Sequence, residues 1–486
     1  MTTVDEIPGA PPHEDIEPDE DIEPTDLATA KVIPSGDIDA LCQEFRAACQ
    51  SAIDPLEIAS TLEFNGWSDH AIEESFGYPD VFALAREMYR RVPRHPLDPQ
   101  IAPDPWGPSR LRPLLHGLLY ALPAVCFPAA AGILTGPGVL AVLVVALLVG
   151  WSLSQGLAHL GYTRRGLAGP GQERPLLRRG LAVGLAIVVL AMSLTALLAH
   201  ARLPVVLFGT GEGAYMLGAS VLLVVGAGRW LLLALAPGVV ASGVFLGLGR
   251  PAYLEFVVWI GLVVTPELAL ALAMKFTRRT SPPVGRSWSG AEVLRAVPSA
   301  WFGLAAAGLL AFPIAAGLHG HGGPNTAALV AALSLSLTMG VAEASLIWYR
   351  RRTQRLLHAS GDLGGFVIRA RAVLLVALLQ YAVAAAALMA AVVAVAAGGG
   401  LTAAHWSELP QLASYAILGA ALFLALAVQA FGLRAFIVAA VSVALAFEIA
   451  FRDLGVPAQL AACGALLVAV GAYAALELGK VVRHGY

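Results

Sequence analysis

The side chains able to do chemistry are few, and they stand in apolar surroundings. Glu343, Glu267, Gln155 and His159 fall inside long stretches otherwise almost free of charge. A charge within a membrane helix is costly unless it is paired or faces water, so these four residues are candidates for a substrate pathway. Glu267 follows Pro266, which can kink a helix. The alternative role for both carboxylates is anchoring, by snorkelling or by pairing with Lys275 or with Arg350–Arg352. A lone membrane histidine serves more often as an interhelical hydrogen-bonder than as a proton relay. Glu448 and Glu255 fall near helix ends and read as interfacial. Ser152 with Gly156, and Ser336 with Gly340, are small residues four apart, a spacing that lets helices pack closely.

Other chemistries are disfavoured. His319-Gly320-His321 offers two imidazoles and no third ligand, a weak basis for a metal site. No Walker A sequence, zincin motif or Gly-x-Ser-x-Gly elbow occurs. The expected outer loops carry few carboxylates, chiefly Glu212, Glu408 and Asp453. No catalytic residue, cofactor, metal or nucleic-acid partner is expected, and the chain does not read as an enzyme. Cys42, Cys49, Cys126 and Cys463 form no CxxC pair, so neither a disulfide framework nor a zinc site is indicated.

The elements that must position these residues are membrane helices. The 486-residue chain is 57% hydrophobic and 13% charged, against about 25% charge in a soluble domain. From residue 111 to 478 it runs as apolar blocks, each long enough for the ~20 residues that cross a bilayer. The blocks predict twelve helices: 111–135, 138–162, 180–200, 211–228, 230–249, 252–276, 296–318, 325–349, 370–397, 410–431, 433–451 and 457–478. With the N-terminus inside, every Lys and Arg except Arg202, Arg250 and Arg452 falls on the cytoplasmic side. That asymmetry predicts cytoplasmic termini and an even helix count.

Ahead of the membrane, residues 1–36 are an acidic, Pro-rich tail with a duplicated Glu-Asp-Ile-Glu-Pro unit, too poor in apolar residues to fold. The tail has no apolar core, so no cleavable signal sequence is expected. Residues 37–92 predict a small helical cytoplasmic domain: Asp54-Pro55-Leu56-Glu57 is a helix start, and Gly66, Ser68 and Gly77 punctuate the rest. It reads as a docking module for a cytoplasmic glycosyltransferase or other synthase component. Residues 93–110 hold six prolines and form a stiff linker.

An internal repeat divides the membrane region into halves, 111–290 and 291–486. Ser152-Leu-Ser-Gln-Gly-Leu-Ala-His159 echoes Ser336-Leu-Thr-Met-Gly-Val-Ala-Glu343, and arginines follow both. Tight turns at Arg229 and Arg434 recur six helices apart, followed by Arg250-Pro251 and by Arg452 with Pro457. Twelve helices in two halves of six resemble the multidrug/oligosaccharidyl-lipid/polysaccharide exporter superfamily. Within it the resemblance is to the polysaccharide branch, oligosaccharide flippases and Pel-type exopolysaccharide transporters. It rests on topology and on two stretches, Trp151 to Tyr162 and Gly228 to Gly238. It implies a permease that flips or exports a glycan across the bacterial cytoplasmic membrane by alternating access. Helix 1 has no Asp or Glu, which disfavours drug/cation antiport as seen in that superfamily. No Arg falls at mid-membrane in helices 1, 2, 7 or 8, which favours a neutral or cationic glycan. The alternatives are a non-transporting scaffold that recruits a synthase, and a cation-coupled small-molecule exporter.

Overall fold

A computed structural model describes residues 37–52, 54–93, 119, 122–132, 134–278, 290–316, 326–359, 363–398 and 408–480. The chain forms two compact units, one within residues 1–100 and one within 101–486.

The first unit contains five short helices: α1 (Ile38–Glu44), α2 (Arg46–Ser51), α3 (Pro55–Phe64), α4 (Asp69–Phe76) and α5 (Val81–Arg91). Each start after α2 is fixed by a side-chain cap. Asp54 accepts from the backbone N–H groups of Leu56 and Glu57, Ser68 from Ala71, and Asp80 from Ala83, satisfying donors that helix ends leave orphaned. Gly77 ends α4 at a φ of 73°, a left-handed conformation that glycine adopts without a Cβ clash. Leu41, Ile58, Leu62, Ile72, Leu84 and Met88 fill the core. Arg91 clamps α5 to α1 through Asp39 at 3.0 Å and reaches Glu87 at 2.9 Å. Its hydrogen bond holds the Glu87 carboxyl below the usual carboxylate range. Cys42 and Cys49 are buried in this core, and burial pushes the Cys49 thiol up to about 11, as expected of structural cysteines.

The second unit is helical throughout its described residues: α6 (Val139–Ala168), α7 (Arg174–Ala199), α8 (Leu203–Val224), α9 (Gly228–Gly247), α10 (Glu255–Phe276), α11 (Gly290–Ala316), α12 (Thr326–Leu337), α13 (Met339–Ala359), α14 (Leu363–Gly398), α15 (Leu409–Gln429), α16 (Ala435–Ala450) and α17 (Val456–Glu477). Among the described residues, ten spans are long and apolar enough to cross a membrane, with α12 and α13 contributing to one of them. The protein is therefore a multi-pass integral membrane protein. α16, at 16 residues, is about 24 Å long, short of a bilayer core of about 30 Å.

Three predicted helices differ in form. In the described part of the first, residues 122–132, the chain makes three short turns, Leu122–Val125, Cys126–Ala129 and Ala130–Gly132, instead of a rod. Pro123 and Pro128 each remove a backbone donor there. Residues 111–118, 120, 121 and 133 of that helix lie outside the described residues. The fourth begins at Leu203 instead of 211, with Pro204 in its first turn. The eighth breaks at Thr338. The Thr338 hydroxyl bonds the Leu335 carbonyl at 2.7 Å and the Tyr381 hydroxyl of α14 at 2.9 Å, a local competition that interrupts the helical ladder.

Packing follows one pattern twice. α6 packs on α7 and α8, α7 on α8, α8 on α10, and α9 on α10 and the 122–129 turns. In the same order, the α12–α13 span packs on α14 and α15, α14 on α15, α15 on α17, and α16 on α17 and α11. Between the sets, α6 packs on α11, and α12 on the Leu122–Val125 turn. They are equivalent positions in the pattern.

Candidate functional site at the seam between the bundles

The α6–α11 seam runs antiparallel along its length. Leu140, Leu147 and Trp151 pack against the cluster that contains Phe302, Leu310 and Ile314. Ser152 Oγ donates to the Ala300 carbonyl at 2.9 Å. A Cβ added to Gly156 would lie 3.2 Å from Ala300 Cβ. One added to Gly303 would lie 2.9 Å from both Trp151 O and Gln155 Cγ. Small residues on both helices thus bring the backbones together, and Gln155 lies across Gly303.

Toward the basic end the seam turns polar. Arg434, which opens α16, places Nη1 3.2 Å from His159 Nε2, while Thr163 Oγ1 lies 3.4 Å from His159 Nδ1. A guanidinium only donates, so Nε2 accepts and the ring proton sits on Nδ1. Arg164 Nη1 lies 2.7 Å from Glu292 Oε1, joining the last turns of α6 to the first turn of α11.

Glu343 stands half-buried on α13, within electrostatic reach of Tyr162 on α6. Tyr162 lies one turn beyond His159, so Glu343 is brought near α6 but not to His159 itself. Ser336 bonds its own helix at Ala332 O, 3.1 Å, beside the Thr338 break, and Gly340 is buried just after that break. Glu267 is not brought to the seam. It is exposed and shares a stripe of α10 with exposed Phe256, Ile260, Val263 and Met274, opposite the face made by Val258, Gly261, Thr265 and Ala269. His319 and His321 lie outside the described residues, and no group of three metal-ligating side chains occurs among the described ones.

The arginine runs have a structural role as well. Arg165 donates to the Val224 carbonyl at 2.6 Å, where α8 ends. Arg350 donates to the Ala430 carbonyl at 2.8 Å, just after α15. The helices so capped are equivalent in the packing pattern, and both open with Leu-Pro, at Leu203-Pro204 and Leu409-Pro410. Each arginine satisfies carbonyls orphaned at a helix C-terminus and complements the dipole there.

Two carboxylates, half-buried Glu212 and buried Glu448, stand differently from the sequence expectation. Glu212 lies within α8, not in an outer loop. Glu448 lies in the last turn of α16 and is packed inside the protein at 2% exposure. Neither Glu448 oxygen, nor Glu212 Oε2, has a hydrogen-bond partner among the described residues. Tyr415 and Cys463 lie within electrostatic reach of Glu448, and Gln411 donates to Gln459 at 2.6 Å on the same two helices, α15 and α17. Pro204 was the signal for Glu212: a helix that starts at such a proline carries position 212 well inside it.

These features define a class, a helical multi-pass membrane protein in which one packing pattern occurs twice around a seam. No family model and no curated protein matches the chain. Among solved structures it is similar to a MATE in complex with MaL6, at 14% identity over 76% of this chain and 95% of that one, TM-score 0.46. It is similar to a MOP superfamily transporter from Pyrococcus furiosus Vc1 (DSM3638), at 15% identity over 76% and 96%, TM-score 0.45. An outward-facing multidrug resistance MATE family transporter of the MOP superfamily is similar at 14% identity over 76% and 96%, TM-score 0.43.

Proposed function

We propose that the chain is a membrane permease whose two bundles rock against each other, giving alternating access, and that it flips or exports a glycan. The observation that carries this reading is the polar end of the α6–α11 seam. Arg164–Glu292 and Arg434–His159 hold the bundles together where a static scaffold would use leucine. Partly exposed ion pairs gain little net free energy, so this end can part at small cost. The basic end is cytoplasmic in this reading, with both termini inside the bacterial cytoplasmic membrane. Gln155, Tyr162 and Glu343 offer hydrogen bonds to a neutral or cationic glycan. Residues 37–92 serve as the docking module for a cytoplasmic glycosyltransferase. Supporting that role, Leu56 and Phe64 stand exposed eight residues apart on α3, Phe64 at 92%.

A second reading, a cation-coupled exporter of small molecules, is favoured by Glu448. A carboxylate buried without a hydrogen bond is costly, and binding a proton or metal cation relieves that cost.

Cross-linking separates transport from scaffolding. Cysteines replacing Arg164 and Glu292, joined by a short bis-maleimide, should stop glycan export while leaving protein abundance unchanged. A cross-linked protein that exports at the normal rate defeats the alternating-access reading.

A further inference from the structure

A cavity of about 390 Å³ opens at the end of the first bundle opposite the Arg164 latch. Its charged lining residues are Arg202, Arg250 and Glu255, and its apolar wall includes Phe245, Val258 and Trp259. The volume falls within the range of small-ligand sites. We propose that this cavity binds the zwitterionic headgroup of an ethanolamine phospholipid, the phosphodiester on the two guanidinium groups and the ammonium on Glu255.

The charge pattern points to that occupant. Among the described residues this end of the membrane unit carries three basic residues, Arg202, Arg250 and Arg452, and two of them converge on one cavity. Arg202 lies where a side chain on Gly136 would be, with Nε 2.9 Å from the Cβ that Gly136 lacks. Gly136, at a φ of 95°, leaves that space open. Arg250 has a φ of 63°, in the left-handed region that is unfavourable for a non-glycine residue. It follows Gly249 in a helix-ending turn in which its N–H bonds the Phe245 carbonyl at 2.8 Å. Glycine would fit that turn better, so an arginine there points to a use for its side chain. A simple anion would leave Glu255 facing a like charge. A simple cation would face two guanidinium groups. A zwitterion satisfies all three, and a primary ammonium can donate hydrogen bonds to Glu255, which a choline group cannot.

The position points to a lipid source. The three charged residues come from the segments that link α7 to α8 and α9 to α10, and from the start of α10. Tyr253 and Phe256, 76% and 72% exposed, stand beside Glu255 in the chain, and aromatic residues are enriched at the membrane–water interface.

The test uses the full-length protein in detergent, titrated with mixed micelles of phosphatidylethanolamine, phosphatidylcholine or phosphatidylglycerol and read by native mass spectrometry. The ethanolamine lipid should bind about tenfold more tightly than either of the others. Arg202→Gln and Arg250→Gly should each weaken it about tenfold. Arg250→Gly suits the left-handed backbone, so loss of folding cannot account for that result. Glu255→Gln should erase the preference over phosphatidylglycerol. Equal affinity for all three lipids, or full binding by the Arg202→Gln/Arg250→Gly protein, overturns the proposal. Soluble O-phosphoethanolamine competing at the same concentration as the lipid would mean a water-soluble ligand and overturn the lipid assignment.

Discussion

Glu448 is 2% exposed and hydrogen-bonded at neither oxygen among the described residues. Such a group is destabilising unless it is neutral or binds a cation. Glu448→Met keeps most of the volume and removes the polar atoms. If the carboxylate has no structural partner, this variant should raise the thermal midpoint, by about 1 °C for each kcal/mol gained in a chain of this size. Transport should fall sharply if Glu448 carries the coupling cation, and should not change if the site is silent. A lowered midpoint would instead mean that the carboxylate is part of a structural network. The sequence showed this residue's type but not its burial. Position 448 is near a helix end, which suggested an interface. Burial there comes from α15 and α17, which no local pattern encodes. Glu267 shows the opposite case. Its place in an apolar block made it a candidate, but the face it occupies is set by where α8 and α9 pack.

At the scale of elements, the seam depends on residues that lack side chains. A Cβ on Gly303 meets the main-chain oxygen of Trp151 at 2.9 Å and Ser152 Cα at 3.1 Å, and neither can swing aside. Gly303→Val should therefore push α11 off α6 and cost about 1–3 kcal/mol. Gly243 in α9 has nothing within 4 Å of a built Cβ, so Gly243→Ala should be neutral or gain up to about 1 kcal/mol. Melting curves of the two variants in the same detergent check both signs. A Gly303→Val protein as stable as the unaltered chain would mean that the seam already yields. The elements themselves were readable, because apolar length and proline position are local properties. Asp54, Ser68 and Gly77 mark helix ends in the sequence and do so in the structure. Two features resisted. The break at Thr338 needs Tyr381 from another helix. The start of α8 was placed at 211, whereas the helix begins at Leu203 and holds both Gly209 and Gly211 inside it. The duplicated Ser-x-x-x-Gly segment falls on α6 and on the α12–α13 span, which hold matching places in the packing. Partners are legible at Ser152 and Gly156, on α11, and less so at Ser336 and Gly340.

For the whole molecule, charge sets the expected orientation. Arg164, Arg165, Arg229, Lys275, Arg350 and Arg434 gather at one end of the helices, and Arg202, Arg250 and Arg452 at the other. Cytoplasmic segments carry the excess of Lys and Arg, so the first end should be inside. Two exposed positions sample the two ends. Pro170 lies in the turn between α6 and α7, and Tyr253 lies just before α10. The four native cysteines are all buried, which keeps background labelling low. In intact cells a membrane-impermeant maleimide should modify Tyr253→Cys at once and leave Pro170→Cys unmodified until the membrane is permeabilised. The reverse pattern would put the basic end outside. The latch of Arg164 and Glu292 would then close the outer side, and the Arg202–Arg250–Glu255 cavity would meet the inner leaflet. Labelling of both positions in intact cells would contradict the two-ended arrangement itself, because α7 ends on the Tyr253 side and begins on the Pro170 side.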